Sequence, residues 1–356
     1  EHSNLCQRAE RFKLENYDHF MPEECLNDNN KLFQKGCEQL GWKAEQFPVN
    51  VKGCQGSSLC NLGCPNGAKQ GTAKVQLPMA EKAGVEVVTQ AKVLSIGEQS
   101  LRVQIAQDIP SNGTWKAGTY QLQANTIILS AGAVHSPALL LHSGYGKNLP
   151  AMGRCWTCHP AHILVAEHEQ PLLNSVGHPK SFMWDERIIS DHFFLETCMY
   201  FPFTTAKNLT GFGPDHESLL RNYPKLQMIL VLACDQTQWE QRVTVTNKGQ
   251  PVVHYSLSPE TILALVKGTR AASQIFFAAG AKRVHVPSAR PTLLTPKDLA
   301  HLETRIHPSH FFPGSVSVSA AHLMGGGRMV ISTQDSVTNS QGQVHHIPWL
   351  YVADAS

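Results

Sequence analysis

"ILSAGAVHSPALLLHSG", residues 128–144, decides the fold. The apolar run that ends at Leu129 reads as a strand, Gly132 as a turn, and the segment from Ser136 as a helix. Ser136 stands where an N-cap belongs and Pro137 in the first turn. A strand that turns at a glycine straight into a helix is the unit of an α/β layer, whose ligands collect at the carboxyl ends of strands. Gly, His and Pro interrupt the stretch too often for it to span a bilayer.

Before this unit, "VEVVTQAKVLSI" (85–96), "RVQIAQD" (102–108) and "TYQLQANTIILS" (119–130) are rich in β-branched residues and read as strands. A helix is expected around 73–83, ended by Gly84. Residues 1–50 read as helical and polar, with Leu32, Phe33, Cys37 and Leu40 recurring at helical spacing. After the unit, "RVTVTNKGQPVVHYSL" (242–257) is a hairpin about Asn-Lys-Gly. "SPETILALVKGTRAASQIFFAAGA" (258–281) is a long amphipathic helix capped by Ser258 and stopped by Gly280. "WLYVADAS" (349–356) is a closing buried strand. The expected class is α/β combined with α+β, the α/β layer (84–150 and 319–356) bracketing a mixed insert.

The 356 residues are 42% apolar and 16% charged, a globular balance. A net charge of +2 gives no electrostatic case for nucleic acid or an anionic membrane. No apolar run is long enough to span a bilayer, and the sequence leaves membrane association open. The chain opens on Glu1 and closes on Ser356 directly after an apolar strand, so it is expected to be a piece of a longer polypeptide.

Ten cysteines are present without a regular disulfide framework. Cys155-Trp-Thr-Cys158-His159 fits the c-type haem pattern, but no other feature suits a small helical cytochrome, and a structural reading is preferred. Cys54, Cys60 and Cys64 could hold zinc or an iron–sulfur centre, yet a fourth ligand at familiar spacing is missing. A packed loop with room for one disulfide is preferred, and no metal is expected. "AHLMGGGRMV" (321–330) sets His322 before three glycines, with Asp354 some thirty residues on. A titratable ring beside bare backbone and a carboxylate suits proton transfer next to a flat cofactor.

Taken in order, these pieces resemble the glucose–methanol–choline (GMC) oxidoreductases, a family of FAD-dependent enzymes. "GCPNGAKQGTAKVQLPMAEKAGVEVVTQAKV" (63–93) resembles the family's helix and strand leading to the adenine end of FAD. "SAGAVHSPALLLHSGYG" (130–146) resembles its Gly-x-x-x-Ser-Pro…Ser-Gly-x-Gly signature, and "MGRCWTCHP" (152–160) its Gly-(Arg/Lys)…His-Pro segment. "HLMGGGRM" (322–329) is similar to its His-x-x-Gly…Arg-Met motif, and "GQVHHIPWLYVADAS" (342–356) to its closing FAD strand. The hairpin and the cysteine loop lean toward the long-chain alcohol oxidase branch and its bacterial relatives.

The resemblance implies a partial, Rossmann-like FAD-binding domain with a mixed-sheet substrate domain. The sections would be 1–72 (substrate or cap region), 73–150 (FAD), 151–318 (substrate) and 319–356 (FAD, with the active-site histidine). It implies that His322 takes the proton of a primary or hydrophobic alcohol while hydride passes to FAD, and that oxygen or another acceptor reoxidises the flavin. The glycines of 325–327 would let backbone approach the flavin ring. Val93 would meet adenine through its backbone, Gly132 would line the crevice, and Asp354 and Ala355 would lie at the pyrophosphate and ribityl chain. A sterol oxidase, a sugar dehydrogenase of the same superfamily or a non-catalytic relative are the alternatives. The sequence holds no Gly-x-Gly-x-x-Gly, and it ends before the family's second active-site His or Asn. This stretch alone is therefore expected to bind FAD poorly and to turn over nothing.

Overall fold

The computed structural model describes residues 2–108, 115–209, 211, 213–288, 292–312, 314–330 and 332–356. The chain divides into two compact units, each assembled from separate stretches.

The first unit comprises residues 1–85, 160–234 and 259–319. Its frame is an antiparallel seven-stranded sheet in the order 292–294, 283–286, 161–167, 226–233, 193–197, 182–184, 45–46. Every residue of Ala161–Glu167 is buried, and this interior strand is apolar almost throughout rather than alternating. The helix Pro259–Ala278 packs on the sheet, with Leu265, Ala272, Ile275 and Phe276 fully buried. A Cβ at Gly268 would stand 2.6 Å from Val231 Cγ1, so bare backbone lets helix and sheet approach.

The helix Asp28–Gln39 is capped by Asn27, whose side chain accepts the N–H of Asn30 at 3.1 Å. It buries Phe33 and Cys37 as the periodicity predicts, and with them Asn29 and Asn30. Asn29 satisfies itself on strand backbone, donating to the carbonyls of Cys198 (3.0 Å) and Met228 (3.1 Å) and accepting the Met228 N–H (2.7 Å). Residues 53–72 form a loop, and the helix expected at 73–83 is Gln76–Lys82.

The second unit comprises residues 86–159, 235–258 and 320–356. It holds an antiparallel sheet of 91–97, 100–105 and 118–123, and a parallel pair in which Ile127–Leu129 lies beside Leu350–Val352. Ile127, Leu129, Leu140, Met152, Val337, Val344, Leu350 and Val352 form its main core. The run 119–130 is thus two strands rather than one, and 85–90 is outside any strand.

The deciding unit also differs in detail. Its helix runs Gly132–His142 and begins four residues earlier than predicted, with Pro137 inside it. Ser136 is no cap, because its hydroxyl is spent on Asp354 and on accepting the Ala131 N–H at 2.9 Å. The hairpin is formed by Arg242–Val245 and Pro251–His254. Val243 is buried in one cluster with Ala133, Ala138 and Trp156, so packing groups the hairpin with this unit and not with a section 151–318. Among the described residues, no helix is long and apolar enough to cross a membrane.

Candidate active site

All five residues singled out from the sequence lie in the second unit. The glycines after His322 form a backbone junction. Gly325 donates its N–H to the Ala355 carbonyl (2.8 Å), Gly326 donates to Arg154 (3.1 Å), and Gly153 donates to Gly326 (2.7 Å). A Cβ at Gly325 would collide with the Cys155 carbonyl, one at Gly326 would stand 2.9 Å from Pro137 Cγ, and one at Gly327 2.7 Å from Ser356 Oγ. Gly325 and Gly326 also have φ of +84° and +91°. The protein itself fills the space that the glycines leave. Four chain segments meet there, and this packing by itself requires the glycines.

Asp354 belongs to the same junction. Its carboxylate accepts the Gly132 N–H (2.8 Å) and the Ser356 N–H (2.8 Å), and it takes the Ser136 hydroxyl. Burial acts to raise its pKa, but these donors outweigh it and hold the carboxyl below its ordinary value. A carboxylate at the first residue of the 132–142 helix is also favoured by the helix dipole. Asp354 is therefore engaged with the helix start. The partner of His322 is instead another histidine.

Strand Leu323–Met324 pairs antiparallel with Thr157–Cys158, with Leu323 opposite Cys158. One step further along that register, His322 stands opposite His159. Their Nδ1 atoms are 3.4 Å apart, and the ring planes cross at 75° with centroids 5.4 Å apart. His322 is exposed and His159 half-buried. From the sequence, His159 fits a haem-ligand pattern, the start of an extended segment and the family's His-Pro segment, and none of these pairs it with His322. Cys155 and Cys158, which a haem would need, are both buried, at 7% and 3% exposure.

Val93 lines a cleft of about 620 Å³, together with Ala131, His135, His142 and the hairpin turn Lys248–Gln250. A β-bulge between Val93 and Ser95 locally re-aims this strand. The sequence of the hairpin turn signals only a turn, and its place on the cleft comes from packing. Next to Ala131, Gly132 has φ +81°, and nothing stands within 4 Å of where its Cβ would be. Gly132 therefore differs from Gly325, Gly326 and Gly327 in that its bare face looks onto open space. Gly132, Asp354 and Ala355 come together in the junction. His322 extends from it along the chain, and Val93 faces the cleft.

The loop cysteines lie in the first unit. Cys54, Cys60 and Cys64 line a cavity of about 240 Å³ as free thiols, without the disulfide the loop was expected to accommodate. Among the described residues, no three His, Cys, Asp or Glu are placed to hold a metal ion.

A parallel strand pair thus meets a glycine-led helix, with a histidine on the adjoining ladder and an open cleft beside the strand at Val93. Models of the GMC oxidoreductase family match residues 22–161 and 241–356, more than half the chain. The chain belongs to the GMC oxidoreductases, a family whose cofactor is FAD. It is 28% identical over 338 residues to an uncharacterized GMC-type oxidoreductase of Mycobacterium tuberculosis, covering 94% of this chain and 52% of the relative. A long-chain-alcohol oxidase of Arabidopsis thaliana is 24% identical over 359 residues, covering 92% and 47%. The chain thus spans about half the length of these curated relatives. Formate oxidase of Aspergillus oryzae has the same fold at 15% identity, with a TM-score of 0.63 over 93% of this chain and 66% of that one. An FAD-dependent oxidoreductase of Chaetomium thermophilum follows at 13% identity and TM-score 0.56, covering 95% and 68%.

Proposed function

We propose that this chain carries the substrate-binding part and a share of the FAD-binding part of an enzyme that oxidises a primary or hydrophobic alcohol to the carbonyl. Membership of the family supports the reaction class, and the likeness to a long-chain-alcohol oxidase supports the substrate class. The single observation that carries the reading is the placement of His322. The ring is exposed, three residues from a backbone junction that ties its strand to the closing strand through Gly325 and Ala355.

FAD, when bound, supplies the hydride acceptor. The chain's own residues do the rest. His322 accepts the alcohol's hydroxyl proton on Nε2, so that electron density on the oxygen can expel the carbinol hydride. Gly132 offers an open face, Val93 its backbone at the cleft, and Ala355 its place at the junction. Asp354 keeps the closing strand and the 132–142 helix in register, so its contribution to cofactor binding is the shape of the crevice. Oxygen or a second acceptor would complete the cycle. The first unit, with its large sheet, would supply the substrate-binding domain.

The test is His322→Ala in the FAD-loaded enzyme. Turnover should fall by at least about a hundredfold, the scale of a lost general base, while flavin content stays near stoichiometric. Equal loss of both would make His322 a structural residue.

A further inference from the structure

We propose that His159 is a positioning residue that holds His322 in its Nδ1–H tautomer and so leaves Nε2 free to take a proton. The inference rests on the reading of His322 as the base and adds the residue that makes it one.

The geometry comes from the strand register. Leu323 faces Cys158 and Met324 faces Thr157, so His322 and His159 continue the ladder as a cross-strand pair. Such pairs bring side chains on one face within about 5 Å of each other, which is why two Nδ1 atoms meet at 3.4 Å. The register is itself fixed a few residues away, where Gly325 and Gly326 lock against Ala355 and Arg154.

Two imidazole nitrogens facing each other cannot both present lone pairs, nor both present N–H groups, without repulsion; one donates and the other accepts. If His159 donates, the Nδ1 lone pair of His322 is consumed and its Nε2 bears the proton. The ring then has no acceptor left for an alcohol. If His322 donates, Nε2 carries the free lone pair and can act as a base. The second arrangement needs enforcement, because an exposed imidazole in water favours Nε2–H. His159 supplies that enforcement, as the second group does in orienting a catalytic histidine generally. Once His322 has taken a proton on Nε2, its Nδ1–H becomes a charge-assisted donor to His159, and the contact strengthens in the protonated state.

The experiment is long-range ¹H–¹⁵N correlation on the 356-residue chain labelled with [¹⁵N]histidine, at a pH where both rings are neutral. His322 is assigned by its loss in His322→Gln. The expected pattern is a pyrrole-like Nδ1 and a pyridine-like Nε2. In His159→Phe, which keeps a ring but no nitrogen, His322 should revert to Nε2–H. In His159→Asn, whose side-chain oxygen can accept from Nδ1–H, the wild-type pattern should return. A wild-type His322 in the Nε2–H form overturns the proposal without any variant. So does a tautomer that His159→Phe leaves unchanged.

In the FAD-loaded enzyme, His159→Phe should lower kcat at least about tenfold, the scale of one lost hydrogen bond to a charged group, with KM within about threefold and recovery in His159→Asn. A tautomer that switches as expected while both His159→Phe and His322→Ala turn over normally overturns the catalytic reading of His322 and leaves the pairing standing.

Discussion

Gly132 donates its N–H to Asp354 Oδ2 at 2.8 Å, joining the first residue of the 132–142 helix to the end of the closing strand. Ser136 adds its hydroxyl to the same oxygen, and the Ser356 N–H takes the other at 2.8 Å. Residues more than two hundred positions apart are thereby fixed by one carboxylate. Burial alone would raise the Asp354 pKa, and the donors bring it below the ordinary value. The stabilisation is therefore complete above the unfolded carboxylate pKa of about 3.9 and is lost as pH falls through the lower folded value. Asp354→Asn should cost roughly 1–3 kcal/mol at neutral pH. Denaturant unfolding at pH 7 and near pH 2.5 checks this: the gap between wild type and variant should shrink markedly in acid. A gap of equal size at both would show that the charge contributes nothing.

The glycines separate by what surrounds them. Gly325 and Gly132 have nearly the same φ, +84° and +81°, so alanine is strained at either by about 1 kcal/mol or more. At Gly325 the new methyl would also meet the Cys155 carbonyl, whereas at Gly132 it would enter open space. Gly325→Ala should lose on the order of 3 kcal/mol or more of stability, and Gly132→Ala about 1 kcal/mol. In the FAD-loaded enzyme, Gly132→Ala should weaken flavin binding more than it weakens the fold. Thermal unfolding and flavin titration of both variants decide it, and a Gly132 variant with unaltered flavin affinity would remove that residue from the crevice.

How much of this was legible follows from the range of the forces involved. The 259–278 helix and the 350–352 strand are legible because each buries residues that its own sequence announces, and the 242–254 hairpin because its turn residues and β-branched runs do. The start of the 132–142 helix was misjudged because Ser136 matches a local capping rule, while its actual partner, Asp354, lies 218 positions away. The glycines at 325–327 were read as room for a cofactor; only packing shows that Cys155, Pro137 and Ser356 occupy that room. His159 stands out in the sequence as part of a haem-like pattern and of the family's His-Pro segment, but its pairing with His322 depends on strand register and not on either local sequence. Asn29 and Asn30 look like surface residues until the strand carbonyls and amides that satisfy them are in place.

His162 gives a pH-dependence of the opposite chemical type. It is buried on the interior strand 161–167 of the first unit, with Nε2 2.9 Å from the Thr269 hydroxyl. Thr269 directs its own hydroxyl to the Leu265 carbonyl (2.7 Å), so the His162 Nε2–H donates to it. Nδ1 is buried with no partner among the described residues. A second proton there would have no acceptor, and burial lowers the pKa to about 4. Unfolded histidine binds a proton near pH 6.5, so stability is full above that value and falls between about 6.5 and 4 by up to about 1.4 kcal/mol per pH unit. NMR titration should leave His162 neutral until about pH 5. An apparent pKa above 6 would contradict the buried, singly bonded ring.

The cysteine loop yields a chemical test. Cys64 accepts the Ala68 N–H at 3.2 Å, inside a turn closed by Gly67 N–H on the Cys64 carbonyl. Burial opposes its ionisation, but the N–H groups of residues 66–69 outweigh this, and the thiol ionises below its ordinary value. Cys60, in the same cavity, is shifted the other way, first by burial and then by the neighbouring thiols Cys54 and Cys64. Because the thiolate is the nucleophile, alkylation rate follows ionisation and access together. Iodoacetamide labelling followed by mass spectrometry across pH 6–9 should therefore modify Cys64 first, with its half-maximal rate at lower pH than that of Cys60. Replacing Cys54 by serine removes one of the neighbouring thiols that oppose ionisation of Cys60, and should bring the Cys60 profile to lower pH while leaving Cys64 nearly unchanged. Should Cys60 react first, or should Cys54→Ser shift Cys64 as much as Cys60, then the backbone donors are not what governs reactivity in this loop.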